Sequence, residues 1–269
     1  VSTLAAIQGS SGIAIGNVVG SNICNIALIL GICAVIKSLD VQSGILRREL
    51  PMVVAASLLL LVLLLDGSLD RIDGAILATG FIAFVIWSIR TAKRGAGDPL
   101  LREAVDELPP AIATGPAVMW IVIGLVSLIA ASQLLVWGAV NLAKAAGVSD
   151  LVIGLTIVAV GTSLPELAAS VTGTIKGEHD IAIGNILGSN LFNILCILVA
   201  PALIAPGVLP DPLLLWRDIP VMIGVALLLW AAAAGLRGRP LKVERVDGVI
   251  LLAVYVAYTL ILVLSAPAA

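Results

Sequence analysis

Residues 161–193 read GTSLPELAASVTGTIKGEHDIAIGNILGSNLFN, a polar island in a chain that is otherwise apolar. Glu166 is the only ionisable residue near the middle of a long apolar run. A carboxylate at bilayer depth is costly unless it faces an interior cavity, holds a cation or carries a proton, so it marks a functional site by default. Thr162 and Ser163 precede it by four and three residues, which on a helix sets the three oxygen-bearing side chains on one face. Pro165 has no backbone N–H and crowds the carbonyl four residues back, that of Gly161. This predicts a kink that frees a carbonyl beside the hydroxyls. Such an all-oxygen set is what hard cations such as Na+ and Ca2+ prefer.

The end of the stretch supplies a facing wall. Ser189 and Asn193 are spaced i, i+4 and share a helical face. Gly184 and Gly188 form a small-xxx-small pair, which predicts close approach of another backbone. Glycines so spaced are common packing residues in membrane bundles, and alone they carry no site. The mid-span carboxylate does.

The whole chain fits that setting. Its 269 residues are 60% hydrophobic and 12% charged, with a mean hydropathy of +1.16, which predicts a polytopic membrane protein. No basic cluster interleaved with aromatics points to nucleic acid, and no protein partner or cofactor is inferable; the lipid bilayer and small cations are the expected partners. Cys24, Cys33 and Cys196 lie in apolar runs without CxxC or metal spacing and read as small core residues. His179 lies in a polar turn and reads as solvated. Gln133 reads as a helix–helix hydrogen bond, and Trp120, Trp137, Trp216 and Trp230 as interface or packing residues.

Apolar runs at 13–36, 50–65, 74–89, 116–141, 151–174, 181–204, 219–236 and 247–265 predict eight spans, with residues 1–8 as the tail of another. Each is near the ~20 residues a bilayer needs, and lipid cannot satisfy exposed backbone, so all are expected to be helices. The hydrophilic stretch closing at Pro109 and Pro110 divides the chain into a first half at 1–90, a linker at 91–115 and a second half at 116–269.

The halves are repeats. IQGSSGIAIGNVVGSNICNIALIL at 7–30 aligns without gaps on IKGEHDIAIGNILGSNLFNILCIL at 175–198, and Arg71, Asp73 and Gly74 recur as Arg245, Asp247 and Gly248. With loops numbered alternately, one side receives only Arg71, Lys144 and Arg217 of the 15 basic residues. The other side, including the 91–115 loop, is then cytoplasmic. This orientation makes the repeats inverted, as in many secondary transporters with mid-membrane sites. The partner of GTSLPE falls before Val1 by the repeat offset, so the first half is expected to be incomplete.

GTSLPE at 161–166, with GNVVGSNICN at 16–25 and GNILGSNLFN at 184–193, resembles the α-repeats of the calcium/cation antiporter superfamily, the Na+/Ca2+ exchangers, and in particular their prokaryotic and K+-dependent members. The resemblance covers the whole chain and its paired motifs are specific. It implies an all-α membrane fold of ten helices in two inverted five-helix halves, eight spans and a partial one being present here. It also implies a central set of oxygens that binds Na+ and Ca2+ alternately. Carried over by motif, Thr162, Ser163 and Glu166 would be ligands from one helix and Ser189 and Asn193 from the next, matched by Ser21 and Asn25 in the first half. The expected activity is Na+-driven Ca2+ export by alternating access in a cell membrane, the inner membrane of a prokaryote.

Two departures bear on this. The second acidic ligand is expected to fall with the partner of GTSLPE before Val1. Asn25 and Asn193 are both neutral where some members carry aspartate, which lowers the site's charge and with it the expected Ca2+ affinity. Ca2+/H+ exchange and K+-linked exchange are the alternatives within the class, since a protonatable Glu166 serves either. A passive cation channel is the alternative outside it, and the inverted repeat argues against it. An intramembrane enzyme would need a second catalytic carboxylate or an HExxH motif, and the chain has neither.

Overall fold

The computed structural model describes residues 2–7, 11–42, 44–95, 114–145, 147–234 and 241–265, and most of these are helical. The helices are α1 (Ser2–Ile7), α2 (Gly12–Ile36), α3 (Ile45–Asp66), α4 (Arg71–Gly95) and α5 (Thr114–Ala145). They continue with α6 (Asp150–Thr162), α7 (Leu164–Lys176), α8 (His179–Ile204), α9 (Leu214–Ala233) and α10 (Arg245–Ser265). Of the eight expected spans, six are single helices long and apolar enough to cross a membrane, namely α2, α3, α4, α8, α9 and α10. A seventh is the pair α6 and α7, bent by 45°. The 32-residue α5 carries a shorter apolar stretch, Val118–Ala131. The centre of the expected linker, 96–113, lies outside the described residues.

Several spans pass through π-helical turns, and two pairs of these are repeat-related. One pair is Cys24–Leu30 in α2 and Asn193–Ile197 in α8; the other opens α3 at Ile45–Glu49 and α9 at Leu214–Asp218. Such turns concentrate at functional positions in helices.

The direction of the repeats can be followed through four short strands: β1 (Leu39–Asp40), β2 (Ser68–Leu69), β3 (Gly207–Val208) and β4 (Lys242–Val243). β1, which follows α2, pairs antiparallel with β4; β3, which follows α8, pairs antiparallel with β2. The 22-residue α3 runs from beside β1 to β2, about 33 Å at 1.5 Å per residue, so the two ladders lie at opposite ends of the bundle. α2 and α8 therefore end on opposite sides, as inverted repeats require.

Local contacts repeat as well. Asn17 Nδ2 donates to Ser2 Oγ at 2.8 Å, and Asn185 Nδ2 to Ser170 Oγ at 3.2 Å. The Ser2 and Ser170 hydroxyls reach the Ala14 and Ala182 carbonyls, each at 3.3 Å. Asp73 accepts from the Asp70 N–H and Asp247 from the Glu244 N–H, each carboxylate tying the turn that starts its helix.

α2 is the most buried of the six single-helix spans and packs backbone to backbone on α6. A Cβ at Gly20 would lie 2.5 Å from the Leu155 carbonyl oxygen and 2.8 Å from Ala159 Cβ; one at Gly16 would lie 2.9 Å from the Leu151 oxygen. A Cβ at Gly184 or Gly188 would meet no described atom within 4 Å. His179 departs from expectation: it is buried at the start of α8. Its Nδ1 accepts the Asp40 N–H at 3.1 Å, which ties α8 to the β1–β4 ladder. Lys242 Nζ lies 2.9 Å from Asp40 Oδ1, and this hydrogen-bonded charge holds the exposed Asp40 carboxyl below its ordinary pKa.

Gly20→Ala is expected to destabilise the protein by about 1–3 kcal/mol, the cost of overpacking a closed contact. Gly224→Ala, on an exposed part of α9 with nothing within 4 Å, should leave stability unchanged. Thermal unfolding in detergent checks this, a lower Tm being expected for the first variant only.

Candidate functional site

The bend between α6 and α7 falls at Ser163, whose backbone (φ −93, ψ 2) leaves the helical region. Pro165 sits in the first turn of α7, where its missing N–H costs no hydrogen bond. The expected bend is present: α6 ends at Thr162 and α7 starts at Leu164, turned by 45°. Gly161 is buried and does not line the cavity that the bend borders.

That cavity has a volume of about 530 Å³. α1 contributes Ser2 and Thr3, α2 contributes Asn17 and Ser21, and α5 contributes Ile129 and Gln133. The bend adds Thr162, Ser163, Pro165 and Glu166; α8 adds Ser189, Phe192, Asn193, Cys196, Ile197 and Ala200. Ser189 lies about 15 Å along the 26-residue α8, well inside both of its ends.

Glu166 is the only charged side chain among these residues. Ser189 Oγ donates to its Oε1 at 3.0 Å, whereas Oε2 is shielded from solvent and has no hydrogen-bond partner among the described residues. A buried carboxylate oxygen with no donor is costly, and a cation or a proton would relieve it. Thr162 Oγ1 lies 2.8 Å from Asn17 Oδ1 and 2.9 Å from the Val158 carbonyl, either of which can accept its one proton. Ser21 Oγ is 3.2 Å from the same hydroxyl, so oxygens of the two repeats meet at Thr162.

Of the residues expected at the site, Thr162, Ser163, Glu166, Ser189, Asn193 and Ser21 surround this one cavity. Asn25 does not: it is covered by α8, 1% exposed, and donates from Nδ2 to Asn190 Oδ1 at 2.9 Å. Asn17, Ser2 and Thr3 were not expected. A signal for Asn17 existed, because it recurs as Asn185 and is polar in an apolar run. Gln133, expected to join two helices, makes no hydrogen bond among the described residues and borders the cavity instead. Cys196, expected in the core, is part of the wall, whereas Cys24 and Cys33 are buried.

Known proteins share this chain's pattern. A family model described as sodium/calcium exchanger protein matches residues 1–90 and 116–264. A putative antiporter, CaxA, of Alkalimonas amylolytica is 46% identical over 263 residues, covering 97% of this chain and 82% of that protein. The inner membrane protein YrbG of Escherichia coli is 43% identical over 237 residues, covering 86% of this chain and 73% of that protein. A solved structure of the sodium-calcium exchanger NCX_Mj, soaked with Na+ and Sr2+, superposes with a TM-score of 0.72 at 29% identity, over 95% of this chain and 79% of that one.

A small maleimide applied to the folded protein is expected to modify Cys196 and to spare Cys24 and Cys33, giving a single adduct by intact mass. Equal labelling of Cys24 or Cys33 would contradict the cavity wall described above.

Proposed function

The chain belongs to the sodium/calcium exchanger family, and on that premise we propose that it exchanges Na+ for Ca2+ across a cell membrane by alternating access. The observation that carries this reading is the Glu166 carboxylate, half satisfied by Ser189, in a mid-depth cavity whose other polar groups are neutral. Glu166 is the charged ligand common to both ions. The hydroxyls of Thr162, Ser163, Ser189 and Ser21 and the carbonyl oxygen of Asn193 complete overlapping coordination sets. Na+ and Ca2+ then compete for the same oxygens, so occupancy by one excludes the other. The bend at Pro165 shapes the pocket, and the basic bias of the loops places the 91–115 segment on the cytoplasmic side.

A second reading has one observation in its favour. Glu166 is the only charged lining group among the described residues, and a protonatable carboxylate can exchange a proton for a cation as well as one cation for another. On that reading the counter-ion is H+. Both readings place the coupling at Glu166, and both are transport rather than catalysis.

Radiolabelled Ca2+ uptake into Na+-loaded proteoliposomes separates them. An outward Na+ gradient is expected to drive uptake in the native protein, and Glu166→Gln should reduce it to background. Uptake that ignores Na+ and follows a pH gradient would replace the Na+ reading with Ca2+/H+ exchange. Uptake without any counter-ion would indicate a channel.

A further inference from the structure

Four asparagines meet where α2 and α8 cross: Asn22 and Asn25 from one helix, Asn190 and Asn193 from the other. A side-chain amide has a donor end and an acceptor end, and its hydrogen-bond partners decide which way it faces. Here the decision starts from two backbone carbonyls, which can only accept.

One end of Asn22 lies 3.3 Å from the Asn190 carbonyl oxygen and 3.6 Å from Met222 Sδ, a second acceptor, so this end is Nδ2. The other end is Oδ1, and it accepts from Asn193 Nδ2 at 3.0 Å. With one N–H of its NH2 given to Asn22, the Asn193 amide is fixed in orientation, and Oδ1 is the acceptor left for the cavity it lines. The two-fold counterpart is complete. Asn190 Nδ2 donates to the Asn22 carbonyl at 3.4 Å, and Asn190 Oδ1 accepts from Asn25 Nδ2 at 2.9 Å. Asn25 Oδ1 is then left buried with no donor among the described residues.

We propose that Asn22 is a positioning residue for cation binding: it holds the Asn193 amide with the carbonyl oxygen toward the cavity and the NH2 turned away. An unheld amide can flip and present its NH2, whose partial positive charge repels a cation. Holding the amide makes a neutral side chain present its acceptor end to the cavity. The inference rests on the reading of the Glu166 cavity as the cation site.

The test is a double-mutant cycle on apparent Na+ and Ca2+ affinity in reconstituted protein. Asn22→Ala is expected to weaken apparent affinity roughly tenfold, as the loss of a single orienting hydrogen bond would. In an Asn193→Asp background the same substitution should cost nothing, because a carboxylate has no donor end to misplace. A penalty of equal size in both backgrounds would overturn the proposal and leave Asn22 as a packing residue. So would an Asn22→Ala affinity within twofold of native. Where Asn22→Ala is not recovered as monodisperse protein, Asn22→Ser takes its place in the cycle with the same two outcomes. Glu166→Gln is measured alongside. If it leaves both affinities unchanged, the cavity is not the cation site and the underlying reading fails; if it abolishes binding and the cycle is additive, only the positioning role fails.

Discussion

An apolar bundle can hold a polar seam only if each half supplies the partners that the other half's polar groups lack. That constraint governs the crossing of α2 and α8. Neither helix could bury its asparagines alone, since a donor or acceptor left dry costs about as much as a lost hydrogen bond. Together they exchange bonds reciprocally: Asn22 with the Asn190 carbonyl and Asn190 with the Asn22 carbonyl. The inverted arrangement is what makes such reciprocity possible, because it brings the same motif to the same depth from opposite sides.

Around this crossing, the chain uses close packing to fix distances. The glycines of α2 let α6 approach to backbone contact, and that approach sets Thr162 beside Asn17 and Ser21. The break at Ser163 then redirects α7 so that Glu166 faces Ser189 on α8. Four helices thus deliver oxygens to one space, and among the described residues no ion pair lines it. The charged contacts sit elsewhere, as in the Asp40–Lys242 pair at one end of the bundle and the buried Asp218, gripped by Arg217 and Tyr258, between α9 and α10.

Much of this was legible beforehand, for identifiable reasons. Membrane spans follow from apolar length, and the repeat is plain because its residues recur without a gap. Glu166 stood out because a charge in an apolar run is rare. Other readings failed where a residue's neighbours, not its own character, decide its role. His179 reads as a solvated turn residue until α8 is seen to start against β1, with the Asp40 N–H as its partner. Cys196 and Gln133 look like core and packing residues until the helices are assembled and both prove to border the cavity. Asn25 and Asn193 occupy equivalent positions in the two motifs, yet one is covered and the other lines the site.

The sequence by itself determined the class of molecule, its two-fold organisation and the one carboxylate around which a site could form. These are properties of composition, period and self-similarity, which a linear chain carries in full. Only the tertiary structure decided where the helix breaks at Ser163, which face of each helix is covered, and which end of the Asn193 amide turns toward the cavity. These depend on contacts between residues far apart in the chain, as Asn22 and Met222 are at 200 positions. No local pattern can report a hydrogen bond whose partner arrives from the other half of the chain.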